Sequence, residues 1–266
     1  MRPSPRLVSV VVPVRGESPA LEAQRRALAA QDYTGEWELI VAHDEAENGP
    51  GPARNAGAAG AKGDLLAFCD ADYVVTPGWL RELVAAAGQA DLVGGWLDVE
   101  TLNSAEVAFW HESPPWESRR PLHRFMPSVS TANCAIWASV FEALGGFDDS
   151  QPGAEDRDLA WRAQLAGYRV ERAPGAVVAY RYRGSLRALA RQHYVWGRAN
   201  PGLFRRFRRA GMARSRLRDA LWGWAWVVAT LPLVAASTRW RGRWVLRTAE
   251  RAGHLTGSAR HRVVFL

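Results

Sequence analysis

The sequence predicts an α/β protein: a Rossmann-like, mostly parallel central sheet flanked by helices, followed by a helical, basic C-terminal extension. Three observations predict it. Short apolar runs recur at 7–14, 37–42 and 65–69, most of them rich in valine, isoleucine or leucine, which suits strands buried on both faces. Helical stretches alternate with these runs at the pace of βαβ units. From Leu186 onward the strand signals stop, and arginine and tryptophan take over. At 266 residues, 48% of them apolar, the chain is long enough for one large domain, or a domain with an appendage, and too apolar to be disordered.

Residues 7–14 form the first strand. The N-terminus mimics a signal peptide, but its apolar stretch is short, broken by Pro13 and followed by Arg15 in place of a small-residue cleavage site. Pro13-Val14-Arg15-Gly16-Glu17 leaves the sheet, and Ser18-Pro19 opens a helix running to about Gln31. Strand two covers 37–42 and ends at His43-Asp44-Glu45. A glycine- and proline-rich connection over 48–52 leads to a small-residue helix over 53–61, which carries Arg54 and Asn55. The third strand, 65–69, stops abruptly at Asp70-Ala71-Asp72. A helix over 77–87 and a strand over 91–96 follow. The segment 100–129, with Trp110, His111, Pro114, Pro115 and Trp116, reads as a mobile loop over the site. Residues 130–137 return to the sheet and 148–153 form a loop. A helix over 155–166 is closed by Gly167, and 168–170 and 177–180 are short strands.

Two acidic clusters carry the chemistry. In extended chain, residues two apart point to the same side, so Asp70 and Asp72 project together from the C-terminal edge of strand three, where open α/β sheets hold ligands. Two hard oxygen donors there suit Mg²⁺ or Mn²⁺ shared with a substrate diphosphate; plain turn and cap chemistry is the alternative. The second cluster, Glu155-Asp156-Arg157-Asp158, fills the first turn of a helix. Dipole compensation explains it on its own. Yet Asp156 heads the row Leu159, Ala160, Ala163 and is expected to face the sheet, with Asp158 pointing elsewhere. An inward carboxylate bordering a cleft is a reasonable general base. A helix N-terminus lowers its pKa, whereas Glu155 and burial raise it, and the sequence leaves that balance open.

Val-Val-Val-Pro-Val at 10–14, Ala-Arg-Asn-Ala-Gly at 53–57, Asp-Ala-Asp at 70–72, Gly-Gly-Phe-Asp at 145–148 and Glu-Asp-Arg-Asp-Leu at 155–159 together resemble family 2 glycosyltransferases. The resemblance implies a GT-A fold, a nucleotide-sugar donor, a divalent metal and inversion at the anomeric carbon. Position by position it implies that Pro13, Val14 and Arg15 border the base and ribose and that Arg54 sits near the base or diphosphate. Asp70 would contact ribose or metal, Asp72 would be the main metal ligand and Asn133 would lie by the sugar or acceptor. Asp156 would be the catalytic base, supported by Glu155. Two departures stand out. Relatives end strand two with an acid that reads the nucleobase; here the pair is His43-Asp44, and Asp44 takes that role. Relatives often carry a metal-holding histidine where this chain has Tyr180-Arg181-Tyr182, which leaves Asp72 and the diphosphate to hold the ion almost alone.

The formal net charge is +7, and the arginines crowd into the last third. Anionic lipid, nucleic acid and phosphorylated substrate are the candidate partners. Cys69 and Cys134 have neither metal nor redox spacing, and a reducing, cytosolic setting follows. The expected division is a catalytic domain over 1–200 and a basic, tryptophan-rich extension over 201–266. Within the latter, 220–237 has 18 residues without a charge, at the lower limit for crossing a bilayer. Arginine flanks it on both sides, and Trp222, Trp224, Trp226, Trp240 and Trp244 suit headgroup level. The readings are a helix packed on the catalytic domain, peripheral or re-entrant association with the cytoplasmic face of the membrane, and a single span. Nucleic acid is the weakest partner, because the basic residues flank an apolar helix instead of forming a groove. The function expected is metal-assisted sugar transfer from a nucleotide-sugar to a lipid-linked or cell-envelope glycan. The competing reading is a catalytically silent nucleotide-sugar-binding or scaffold protein of the same fold.

Overall fold

The structure, a computed structural model, describes residues 2–44, 48–111 and 125–265. Glu45 of the expected strand-two terminus and Pro114, Pro115 and Trp116 of the expected loop lie outside the described residues. The chain divides into two compact units, Met1–Leu102 with Met126–Ser150 and Glu155–Arg181, and Asn103–Phe125 with Gln151–Ala154 and Tyr182–Leu266.

The first unit is built on one seven-stranded sheet of β1 (Val8–Val14), β2 (Trp37–His43), β3 (Leu65–Cys69), β4 (Val74–Val75), β5 (Leu92–Asp98), β6 (Asn133–Trp137) and β7 (Val170–Ala179), in the order β2-β1-β3-β6-β5-β7-β4. β1, β2 and β3 are mutually parallel, as expected for strands joined by helices, and β5 pairs in parallel with β7. β6 is antiparallel to both β3 and β5, and β4 is antiparallel to β7. β6 must reverse, because Asn133 enters the sheet opposite Cys69, at the edge where β3 ends. Every residue of β3 is buried, as is nearly all of β1, which is what their unbroken apolar runs require.

Helix α1 (Pro19–Ala29) starts as expected, with Ser18 Oγ accepting from the Leu21 N–H and proline in its first turn. Helix α2 (Pro50–Ala59) starts three residues earlier than expected. Pro50 and Pro52 open it instead of preceding it, since the first turn needs no proline N–H. Gly57 lets α2 lie directly on the sheet: a Cβ there would come within 2.6 Å of Val11 Cγ1. Helices α3 (Trp79–Ala87) and α5 (Ala138–Ala143) cover other parts of the sheet, and α6 (Glu155–Leu165) closes with Gly167 at φ 86°. The two short strands expected at 168–170 and 177–180 are one strand, β7. Pro174-Gly175 does not end it, because the register to β5 shifts there and passes over 174–176 as a bulge.

The second unit is helical: α4 (Ala105–Trp110), α7 (Leu186–Phe207), α8 (Leu217–Ala229), α9 (Leu231–Ala236) and α10 (Thr238–His261). α7 runs without interruption through residues 200 and 201, so the expected boundary there falls within a helix; the units part between Arg181 and Tyr182. α7 and α10 cross backbone against backbone. A Cβ on Gly197 would meet Glu250 O at 2.1 Å, and one on Gly253 would meet Tyr194 O at 2.4 Å. The expected loop over 100–129 contains α4, whose Trp110 is buried against Gly242 of α10. Phe109 of α4 lies beneath the guanidinium groups of Arg239 and Arg243, at 4.2 and 4.3 Å. Among the described residues no helix is long and apolar enough to cross a membrane, and the uncharged stretch 220–237 is split between α8 and α9.

Candidate active site

The C-terminal ends of β1, β2 and β3 lie side by side because the three strands are parallel and in register. At the end of β3, Asp70 meets the guanidinium of Arg54 in a close ion pair. Arg54 comes from α2, and its Nη1 lies 3.7 Å from Oε1 of Glu155, the first residue of α6. One cation therefore ties the acids after β3 to the acids that open α6. Arg54 is 2% exposed, and burial alone would lower its pKa; Asp70 and Glu155 outweigh this and hold it above the ordinary value. The guanidinium lies buried between the two carboxylates, and among the described residues its Nε and Nη1 have no hydrogen-bond partner. Glu155 Oε2 is buried and, among the described residues, has no hydrogen-bond partner.

Asp156 follows at the same helix start. Its Oδ1 accepts from the Arg157 N–H at 2.7 Å, and Arg157 Nε stands 3.9 Å away. Its pKa is raised to about 6, by burial first and by Glu155 besides, against the lowering effects of Arg157 and Arg54. The side chain still keeps 31% of its surface exposed. Protein on most sides removes the water that would solvate the charge, while one opening remains for a reactant. The expected roles of the two aspartates in burial are reversed, however. Asp158 is the fully buried one, its charge met by Arg162 Nε at 2.6 Å one turn along the helix. Helical spacing marked Asp156 as inward, but an acid goes inward where a counter-charge waits for it.

Two residues that sequence reasoning passed over shape this edge. Gln24 of α1 is fully buried and spans the Asp70–Ala71–Asp72 turn. Its Nε2 donates to Asp70 O at 3.3 Å and to Cys69 Sγ at 3.1 Å, and its Oε1 accepts from the Val75 N–H at 3.1 Å. Arg162 donates to the carbonyls of Leu144 and Gly146, while Asn55 donates to Phe147 O and accepts from its N–H, both at 2.9 Å. Between them they fix the Gly-Gly-Phe-Asp loop, whose glycines take φ of 73° and 69°. No sequence signal marks these contacts, because each joins groups far apart in the chain.

The remaining expected site residues divide. Arg15 and Asp44 meet at the ends of β1 and β2, at 3.2 Å, with Arg15 largely exposed. The Asp44 carboxylate also accepts from the N–H groups of Asn48 and Gly49 and so shapes the entry to α2. Pro13 is half-buried at the strand end, but the Val14 side chain is in the core; only its carbonyl faces the loop, accepting from the Asp44 N–H at 2.8 Å. Asn133 starts β6 opposite Cys69, next to Asp70, with its side chain turned inward. It is fully buried, its Oδ1 accepts from Trp79 Nε1, and its Nδ2 donates to the carbonyls of Trp96 and Ala176, each at 2.8 Å. Its amide satisfies the backbone opened by the β5–β7 bulge.

Tyr180, in the region where the resemblance implies a metal-holding histidine, is buried in contact with Tyr73, with ring centroids 4.4 Å apart. Burial, then Tyr180, Asp70 and Asp72, push the Tyr73 hydroxyl well above its ordinary pKa, so it stays protonated beside the acids. Arg181 Nε donates to Asp72 O at 3.4 Å. Among the described residues no group of three or more His, Cys, Asp or Glu side chains converges to hold an ion. The donors present, Asp70 and Asp72, are hard oxygens of the kind Mg²⁺ and Mn²⁺ take when substrate phosphates complete the shell. The residues fit such an ion on those terms.

Residues 43–141 match the family model "Glycosyl transferase family 2". Over 230 aligned residues, 75% of the chain, it is 30% identical to the pre-mycofactocin glycosyltransferase of Mycobacterium tuberculosis, of which it covers 48%. It is 28% identical over 156 residues, 55% of the chain, to the uncharacterized glycosyltransferase YwdF of Bacillus subtilis, covering 56% of that protein. The chain thus spans about half the length of the curated relatives it matches. Among solved structures, it resembles the mannosyltransferase PcManGT from Pyrobaculum calidifontis, determined with GDP-Man and Mn²⁺. The TM-score is 0.58 and the identity 18%, over 95% of this chain and 87% of that one. It also resembles TarS 1–349 of S. aureus in complex with UDP, with a TM-score of 0.51 and 15% identity over 96% and 91% of the two chains.

Proposed function

Starting from a chain that carries a glycosyltransferase family 2 segment on a GT-A-type fold, we propose that it moves a sugar, with inversion, from a nucleotide-sugar to an acceptor hydroxyl. The acceptor class is a lipid-linked or cell-envelope glycan, at the cytoplasmic face of the membrane. One observation carries the reading: Arg54 pairs with Asp70 on one side and Glu155 on the other, so the metal-type acids and the base-type acid share one edge of one sheet.

Arg15 and Asp44 would border the base and ribose, and Asp70 and Asp72 would hold a divalent cation together with the donor diphosphate. Bound there, the ion supplies charge neutralisation for the departing diphosphate. Asp156 takes the proton from the acceptor hydroxyl as its oxygen meets the anomeric carbon from the side opposite the leaving group. The raised pKa favours that step, because a carboxylate near 6 is a stronger base than an ordinary one and is still ionised at neutral pH. Glu155 and Arg54 position that helix start, and Gln24 positions the metal-holding turn.

The test is a screen of UDP-, GDP- and dTDP-sugars with Mn²⁺, reading thermal stabilisation first and donor turnover second. Stabilisation with turnover supports the reading. Stabilisation without any sugar release, in the presence of a broad acceptor set, would make the chain a nucleotide-sugar-binding module.

A further inference from the structure

Helix α8 presents an apolar strip outward. Leu217, Leu221, Trp224 and Val228 follow at spacings of four, three and four, so they share one face. Leu217, Leu221, Trp222 and Val228 are between 61% and 75% exposed, and Leu231 and Leu233 of α9 are exposed beyond them. The helix is nonetheless docked: Ala220 and Val227 are buried, and Val227 O accepts from Trp244 Nε1 of α10 at 2.9 Å. A strip of this kind on a docked helix marks an interaction surface. Arg214, Arg216, Arg218, Arg239 and Arg241 are exposed on the chain flanking the two helices. Between residues 203 and 249 the chain has eleven arginines and one acid, Asp219. Two copies placed face to face would oppose these collars, whereas an anionic surface would neutralise them.

We propose that the α8–α9 face is an in-plane membrane anchor for an anionic lipid surface. The apolar strip enters the boundary between headgroups and acyl chains, and the arginines take the headgroup phosphates. The two helices have 13 and 6 residues and are separated at Thr230, with Pro232 in the first turn of the second, so each can lie along the surface but neither can span it. This gives the membrane association put forward above a surface and a mode, and rests on that reading. It does not depend on catalysis.

The test uses the full chain with vesicles of phosphatidylcholine, alone or with about 30% phosphatidylglycerol, by co-sedimentation at low and high salt. Binding is expected to the anionic vesicles only, weakening with salt, with tryptophan fluorescence quenched by lipids brominated near the headgroup. Leu221→Asp with Val228→Asp should weaken binding about 100-fold, at about tenfold per inserted carboxylate. Trp222→Ser, at a side chain too exposed to matter for folding, should weaken it several-fold. Leu39→Asp, at an exposed apolar residue of β2, should leave it unchanged. Donor turnover without vesicles should be the same in all of these, which separates failure of the anchor from failure of the transferase reading. No binding to either vesicle, or binding indifferent to the paired aspartates, overturns the proposal. So does a dimer in light scattering that those aspartates dissolve without any lipid effect.

Discussion

Replacing Asp156 by asparagine tests the base assignment directly. Asparagine keeps the shape and can still accept from the Arg157 N–H, but it cannot take up a proton. It also removes a charge that burial disfavours, so the fold should be no less stable. A positioned general base contributes about 10²–10⁴-fold, and transfer should fall by about that factor while donor binding changes little. The pH profile supplies a second, quantitative reading. The competent form is the carboxylate, so kcat/KM should rise with pH and reach half its plateau near the Asp156 pKa of about 6. At pH 5 such a group is about one-tenth ionised, whereas an ordinary aspartate is more than about nine-tenths ionised. The rate should therefore drop about tenfold between neutrality and pH 5. Stability has the opposite sign. An acid whose pKa rises on folding contributes fully below its unfolded value, and the contribution is lost as pH rises through about 6. The assay is initial-rate donor consumption with Mn²⁺ across this range, beside nucleotide binding by calorimetry. Full activity in the asparagine variant, or a wild-type profile flat from pH 5 to 7, would refute the assignment.

Arg54→Met should leave Asp70 and Glu155 facing each other without their shared cation. Breaking a buried pair from one side costs about 3–5 kcal/mol, and partial exposure of both acids puts this case near the lower figure. That corresponds to a Tm lower by roughly 6–12 °C; an unchanged melting curve would remove Arg54 from the framework. Gln24→Leu should strip partners from Asp70 O and the Val75 N–H and loosen the turn between them, raising the donor KM about tenfold with a smaller change in kcat. An equal fall in kcat alone would contradict a positioning role. Mn²⁺ should bind weakly to the chain alone and at least about tenfold more tightly with UDP or GDP present, because two carboxylates cannot complete its shell. Tight binding without nucleotide, or binding that survives Asp72→Ala, would count against the ligands named.

What the sequence made legible was whatever one local pattern decides. Unbroken apolar runs announced β1 and β3, and Ser18-Pro19 announced α1. β4 escaped because two residues have no period, and β7 was read as two strands because Pro174-Gly175 looks like an end and is a bulge. The larger losses came where side-chain direction depends on a distant partner. Asn133 follows its expected strand but turns its amide into the β5–β7 bulge, formed by backbone about 40 residues away on either side. Asp158 goes inward because Arg162 meets it, an effect that a count of apolar residues on a helix face does not include. The expected division of the chain falls inside a helix for a similar reason. The rise in arginine begins inside α7, and composition does not register that a helix continues through it.

The balance left open for Asp156 is resolved chiefly by burial. A helix N-terminus and the cations Arg157 and Arg54 all pull its pKa down, yet it stands at about 6 because burial acts more strongly and Glu155 adds to it. Arg54 contributes least of the named causes, since its guanidinium is turned to Asp70 and Glu155. Had Arg54 faced Asp156 instead, the acid would have been held lower and made a weaker base, and Asp70 would have lost its partner. One buried arginine therefore does two things at this edge. It lets acids from β3 and α6 approach each other, and by pairing with two of them it does little to lower the pKa of the third.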